Sequence, residues 1–409
     1  MIRGSNMKKH ALIILTALMI FSLVLTGCTP QTQISTAAQT MVAQTLTAMA
    51  VVTDTPEPTA TSTPKPTATN TPTEEPTPEV VAYGPTGFPI DVNPLTGLKV
   101  KDPALLDRRP ILIKVANFPA SGRPHAGLSF ADIVFEYYIG EGLNRFMALY
   151  YGQDSTQIGP VRSGRLVDPY LAMMYGGVLG FKGADATVYS RIVEVLGDRA
   201  ITGTEFTCPA ICDNGENIVT SIFGDSTGFD ELLYSRGIDN SRQELDGMRF
   251  DPATPTGGVD GKEANVIFNI MDRGQWIYDQ ASGKYLRWIE ETDENYTVKM
   301  IPLVDRISNE QLGFSNVVIL FATYTEYKPA LHDIGLWDNT SGQRAIIFRD
   351  GQGFDVLWRT VDATSPIEFM TKEGEIFALK PGNTWMVLMG MNSGVKQEAG
   401  TWDFNFFLP

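Results

Sequence analysis

The stretch "TDTPEPTATSTPKPTATNTPTEEPTPE", residues 53–79, limits everything else the chain can build. Seven prolines and ten threonines fall among its 27 residues. Such a tract has nothing with which to form a core and favours extended polyproline backbone. At about 3.1 Å per residue it makes a spacer of roughly 80 Å. The 409-residue chain is thereby divided into a short leading part, a disordered Thr/Pro-rich spacer over 53–82, and a folding part that starts near Tyr83.

Upstream, "MKKHALIILTALMIFSLVLTGC" joins Lys8 and Lys9 to an apolar run from Ala11 to Leu25 and ends Leu25-Thr26-Gly27-Cys28. The run has the proportions of a signal-peptide core rather than of a membrane span. Its ending fits a bacterial lipobox, in which small residues let the peptidase reach the backbone and the cysteine thiol receives the diacylglycerol. Residues 1–27 are therefore expected to be a lipoprotein signal peptide, with translation starting at Met1 or Met7, and Cys28 the lipidated first residue of the mature chain. Residues 28–52 follow as anchor and stalk, where Ile34, Ala38, Met41, Val42, Leu46 and Met49 recur at helical spacing. The expected location is extracytoplasmic, with the membrane as a partner through the N-terminal lipid.

The folding part divides at "DPATPTGGVDGKEA", a Pro/Gly-rich break over 251–264 that reads as a linker. Before it, over 83–250, "RPILIKVANF", "ADIVFEYYI" and "RFMALYYG" read as strands, the last two joined by the turn "GEGLN". Asp168-Pro169 opens a short helix that closes at Gly176, and "DATVYSRIVEVLG" reads as a helix ending at Gly197. After it, over 265–409, "WIYDQASGKYLRWIE", "AIIFRDGQGFDVLWRT" and "IEFMTKEGEIFALK" read as three hairpins of a meander, and "NTWMVLMGMN" as a final strand. The fold class is α+β or α/β: an N-terminal mixed sheet with helices, followed by a smaller, mainly-β C-terminal domain.

Lysine and arginine number 32 against 47 aspartates and glutamates, a net charge of −15. That balance excludes nucleic acid as a natural partner, because its binding rests on clustered cations. Cys208 and Cys212 in "FTCPAICDNG" have only His125 and His332 as histidine company in the mature chain, too few ligands for zinc. The spacing is not C-x-x-C, so a small-loop disulfide, or two free thiols, is the expectation. No metal and no cofactor are expected. His125 in "GRPHAG" has no nameable triad partners and reads as a satisfied residue.

Two clusters could carry chemistry. Asp132 and Glu136 in "ADIVFEYY" share one strand face by its period of two. As an acid/base pair for glycan chemistry they would need to approach within about 5 to 9.5 Å, whereas the backbone holds them roughly 13 Å apart. Arg123, Arg145, Arg162 and Arg165, with Ser163, gather at loops and strand starts around the same sheet, and Gly159-Pro160 bends the chain beside them. Guanidinium forks beside a helix start suit phosphate or carboxylate. The competing role is internal: Arg162 and Arg165 gripping Asp132 and Glu136.

"NPLTGL" (93–98), "RRPILIKVAN" (108–117), "RPHAGLSFADIVFEYYIGEGLNRFMALY" (123–150) and "IGPVRSGR" (158–165) together resemble the YerB-like bacterial lipoproteins. So do "YDQASGKYLR" (278–287), "RAIIFRDGQ" (344–352) and "LKPGNTWMVL" (379–388) in the second half. The resemblance spans most of 88–390 and leaves out the anchor, the spacer, the Cys208–Cys212 loop and "DATSPIEF". It implies a two-domain extracytoplasmic lipoprotein and confers no catalytic residues. The reading is a non-enzymatic binding or scaffold module of the cell envelope, partnered by a cell-wall polymer or another envelope protein. The alternative is an enzyme acting on wall glycan or peptide through Asp132 or Glu136.

Overall fold

The computed structural model describes residues 81–215, 220–337 and 339–408. The expected signal peptide, Cys28 and the expected stalk and spacer to residue 80 lie outside the described residues. Those described all belong to the unit Pro76–Pro409. Among the described residues no helix is long and apolar enough to cross a membrane.

The first half forms β1 (Ile111–Ala116), β2 (Ile133–Gly140), β3 (Leu143–Tyr150), α1 (Asp168–Met174), β4 (Val178–Phe181), α2 (Ala186–Leu196) and β5 (Ala200–Thr202). A small ladder, β6 (Ile211–Asp213) with β7 (Ile222–Gly224), and α3 (Ser226–Ser235) complete it. Local chemistry sets several of these boundaries. Asp185 caps α2 by accepting from the Thr187 amide, and Gly197 closes it at a positive φ of 54°. The expected turn between β2 and β3 falls at Gly140–Gly142, with Gly140 at φ 105°.

Past Ser235 the described residues hold strands and no α-helix: β8 (Val259–Asp260), β9 (Glu263–Asn269), β10 (Asp272–Asp279), β11 (Lys284–Thr292), β12 (Val298–Pro302), β13 (Asn316–Lys328), β14 (Gln343–Arg349), β15 (Gln352–Arg359), β16 (Thr384–Gly390), β17 (Gly394–Glu398) and β18 (Thr401–Asn405). A 12-stranded sheet runs β8-β15-β14-β13-β16-β2-β3-β1-β4-β5 and carries two short strands off that path. A 7-stranded sheet runs β12-β11-β10-β9-β18-β17 with one more. The large sheet is built from both halves: β16 lies parallel to β2, Val387 opposite Glu136, and parallel to β13 on its other side.

The expected single meander is corrected here. The first hairpin, β10–β11, enters the small sheet, and the second, β14–β15, enters the large one. The third reduces to Glu368–Met370 on β15, with one bridge from Met370 to Ile376. Turn chemistry fixes a hairpin locally, but which sheet it joins depends on partners far away in sequence.

The centre of the large sheet is buried on both faces, which is why β1, β2 and β3 read as nearly unbroken apolar runs. Period two sorts each strand: Ile133, Phe135 and Tyr137 join one core with Leu171 of α1 and Ile192 of α2. Val134 joins the other with Trp276 and Tyr285 of the small sheet and Phe229 of α3. The large sheet thus has α1 and α2 on one face and the small sheet with α3 on the other.

Candidate anion-binding site

Lys114 interrupts "ILIKVA", a strand that is otherwise apolar and wholly buried. On the helical face of the large sheet it stands beside Arg145 of β3 and Tyr137 of β2, which are register partners. The loop after Pro160 crosses the end of β1, where the Arg162 amide donates to Lys114 O (2.9 Å) and Arg162 O accepts from the Lys182 amide (3.0 Å). That crossing brings Arg162 and Arg165 over Lys114, Arg145 and Tyr137.

One carboxylate sits among these groups. Asp168 is fully buried at the start of α1, accepts from Lys114 Nζ (3.1 Å) and from the Tyr137 hydroxyl, and takes the Arg165 amide at 2.7 Å. Lys114 Nζ also donates to Tyr137 Oη (2.5 Å) and lies over its ring. Arg145 donates to Ser163 O (2.8 Å), and Arg165 donates to Gly164 O (2.9 Å). Arg165 Nε is buried with no hydrogen-bond partner. Asp168 belongs to the helix rather than preceding it as its cap, because its side chain is turned back onto Arg165 and Lys114.

The electrostatics are lopsided. Lys114, Arg145 and Arg165 face Asp168, with the exposed Asp185 adding a second negative charge felt by Arg165. Burial, opposed by Asp168 and reinforced by Arg145 and Arg165, pushes Lys114 down to about 7. Burial and the charges of Arg165 and Arg162 push Arg145 down to about 9. Desolvation lowers Arg165 as well. These groups repel one another, while Arg162 and Arg165 remain half-buried and in reach of solvent. An arriving anion would be held by several donors at once.

The remaining sequence candidates lie elsewhere. Glu136 points to the opposite face by its parity, where Arg287 pairs with it at 3.3 Å and Trp385 Nε1 donates at 2.7 Å. Asp132, just before β2, accepts from Asn93 Nδ2 and from the Tyr151 and Gly152 amides. The expected grip of Arg162 and Arg165 on these two acids is therefore replaced by Arg287 for one and by backbone amides for the other. Asp132 and Glu136 share no hydrogen-bond partner and do not form a pair. Arg123 is bound to Glu290 (2.6 Å) and Asn117 (2.8 Å), away from the other three arginines. His125 is buried on Ala116 O, and desolvation with Arg123 nearby pushes it down to about 3. Cys208 and Cys212 are joined. No His, Cys, Asp and Glu group that could hold a metal occurs among the described residues.

Sequence reasoning missed Lys114, Tyr137 and Asp168. Lys114 left a usable signal, a charge inside an apolar strand, which marks a buried ion with partners.

Comparison with known proteins places this geometry in a family. Residues 95–209 match the N-terminal domain, and residues 264–386 the C-terminal domain, of a protein family of unknown function, DUF3048. The first match contains every residue of the cationic cluster. YerB of Bacillus subtilis (strain 168), which carries a lipoprotein name, is 26% identical over 308 residues, 72% of this chain and 84% of YerB. The crystal structure of the Bacillus subtilis YerB protein shares the fold at a TM-score of 0.60, with 22% identity, over 73% of this chain and 96% of that one.

Proposed function

The chain belongs to the DUF3048 family of YerB-like proteins, and from that premise we propose that it is a lipid-anchored, extracytoplasmic binding module. Its ligand site is the cluster of Lys114, Arg145, Arg162 and Arg165, and its ligand carries carboxylate or phosphate groups, as peptidoglycan stems and wall polymers do. The observation that carries the reading is the gathering of Lys114, Arg145 and Arg165 around one buried carboxylate, Asp168. A spacer ahead of the fold gives such a module reach from the membrane. The carboxylate-enzyme alternative has less support, since Asp132 and Glu136 are both buried and held by partners.

Sulfate and muropeptides are expected to raise the melting temperature of the purified full-length chain in detergent. At a ligand concentration of 100 times Kd the shift is about 5 °C. Arg145→Ala and Arg165→Ala should abolish it, while Arg123→Ala, which lies outside the cluster, should keep it. Stabilisation that survives in both cluster variants would refute the assignment.

Affinity should also follow the charge on Lys114. Its folded value near 7 lies below its ordinary one, so it is charged at pH 6 and mostly neutral at pH 8. If sulfate selects the charged form, its Kd should be about tenfold lower at pH 6 than at pH 8. Sulfate keeps its own charge across this range. Titration calorimetry at the two pH values, with Lys114→Met expected to flatten the profile, checks this.

A further inference from the structure

We propose that the Cys208–Cys212 bridge is a thiol–disulfide exchange site whose substrate is an extracytoplasmic dithiol. The bridge spans four positions and joins no two distant elements. A ring this short removes little entropy from the unfolded chain, because the stabilisation of a disulfide grows with the loop it closes. The turn it closes is held in other ways. Thr207 Oγ1 reaches Ile211 O at 2.9 Å, and the Asp225 amide donates to Ala210 O at 2.9 Å. Cys212 lies on β6, fixed opposite Phe223 of β7. The fold therefore has no mechanical need of the bond.

The sulfurs are placed for chemistry. Cys208 is exposed and Cys212 half-buried, so an incoming thiolate meets Cys208 first. Both line a cavity of about 340 Å³ together with Lys182, Gly203, Thr204 and Asp213. Lys182 is positioned there by its bond to Gly203 O (2.9 Å). Hydrogen bonds from Ser221 and the Gly215 amide do most to hold Asp213 below the usual carboxylate range, and the Lys182 charge adds to them; the same charge would favour a thiolate released into the cavity. Exposed disulfides with a stabilised leaving thiolate are the exchangeable ones.

The exchange balances as follows. A thiolate of the dithiol attacks Cys208 Sγ, the Cys208–Cys212 bond breaks, and Cys212 departs as a thiolate facing Lys182. The second thiol of the dithiol, deprotonated, then attacks its partner sulfur in the mixed disulfide and releases Cys208. The dithiol is oxidised by two electrons, and Cys208 and Cys212 take up its two protons as thiols. The two sites share no functional side chain, although the Lys182 amide bonds to Arg162 O, so either assignment can fail alone.

The test uses the full-length chain in detergent and dithiothreitol as the dithiol. Alkylation and peptide mass spectrometry read Cys208 and Cys212 separately from Cys28. Both cysteines should be reduced together within minutes, without denaturant, and the melting temperature should move by no more than about 1 °C. Lys182→Met should shift the exchange equilibrium about tenfold toward the disulfide. Reduction that needs denaturant, or that lowers the melting temperature by several degrees, would make the bond a structural staple and overturn the proposal. So would an equilibrium unmoved by Lys182→Met.

Discussion

Arg287→Met is expected to destabilise the fold by about 3 to 5 kcal/mol, the range for removing one partner of a buried ion pair. Arg287 on β11 and Glu136 on β2 are both fully buried and join the small sheet to the large one. The guanidinium lies over the rings of Trp276 and Trp385, at 4.1 and 5.1 Å. Trp385 and Asn144 also donate to Glu136. Without Arg287 those bonds remain, but the carboxylate loses its counter-charge. Burial already pushes Glu136 above the usual carboxylate range, and Arg287 is the chief force holding it down. A raised carboxylate contributes its stability below the unfolded value and loses it as pH rises through the folded one. Removing Arg287 raises Glu136 further, so the variant's deficit should be largest at pH 8 and shrink at pH 4. The double variant Glu136→Gln, Arg287→Met should recover part of the loss, because Glu136 is then no longer a stranded charge, although Glu290 and Asp272 also face Arg287. Urea unfolding measures all three proteins. A single variant within about 1 kcal/mol of the parent at pH 8 would mean the ion pair does not tie the sheets together.

Asp168→Ala acts on the other face and should cost about 3 to 5 kcal/mol at low ionic strength. The substitution strips Lys114 and Tyr137 of their acceptor and leaves Arg145 and Arg165 without the buried charge that offsets them. What distinguishes this variant is its cure. If the cluster is an anion site, sulfate should take over part of the role of the lost carboxylate and restore at least about 1 kcal/mol. Arg287→Met should gain no such benefit. Equal sulfate responses in the two variants would show only a general salt effect and would count against the site.

Much of the first half was legible because its signals are local. The cap at Asp185, the closing Gly197 and the "GEGLN" turn each act within a few residues. Period two put Asp132 and Glu136 on one strand face, but Asp132 falls just before β2, and the alternation could not supply their partners. Arg287 is 151 residues from Glu136, and nothing near either residue points to the other. The same distance problem hid the sorting of the C-terminal hairpins between two sheets. The arginine cluster was half visible: Arg145, Arg162 and Arg165 were named from sequence, but Arg123 was grouped with them by proximity along the chain alone. Lys114 and Tyr137 complete the cluster only through register across β1, β3 and β2.

The position of β16 has a consequence for biosynthesis. Residues 384–390 fill the slot between β2 and β13, so a chain made N-terminus first carries an open hydrogen-bonding edge on β2 for some 240 residues of elongation. Such edges recruit other strands, and pairings this distant form slowly. Nascent chains stopped before residue 384 should therefore bind holdase chaperones or aggregate instead of resting as a stable half-protein. A polypeptide that cannot close its main sheet early stays pliable until the strand at residues 384–390 has emerged.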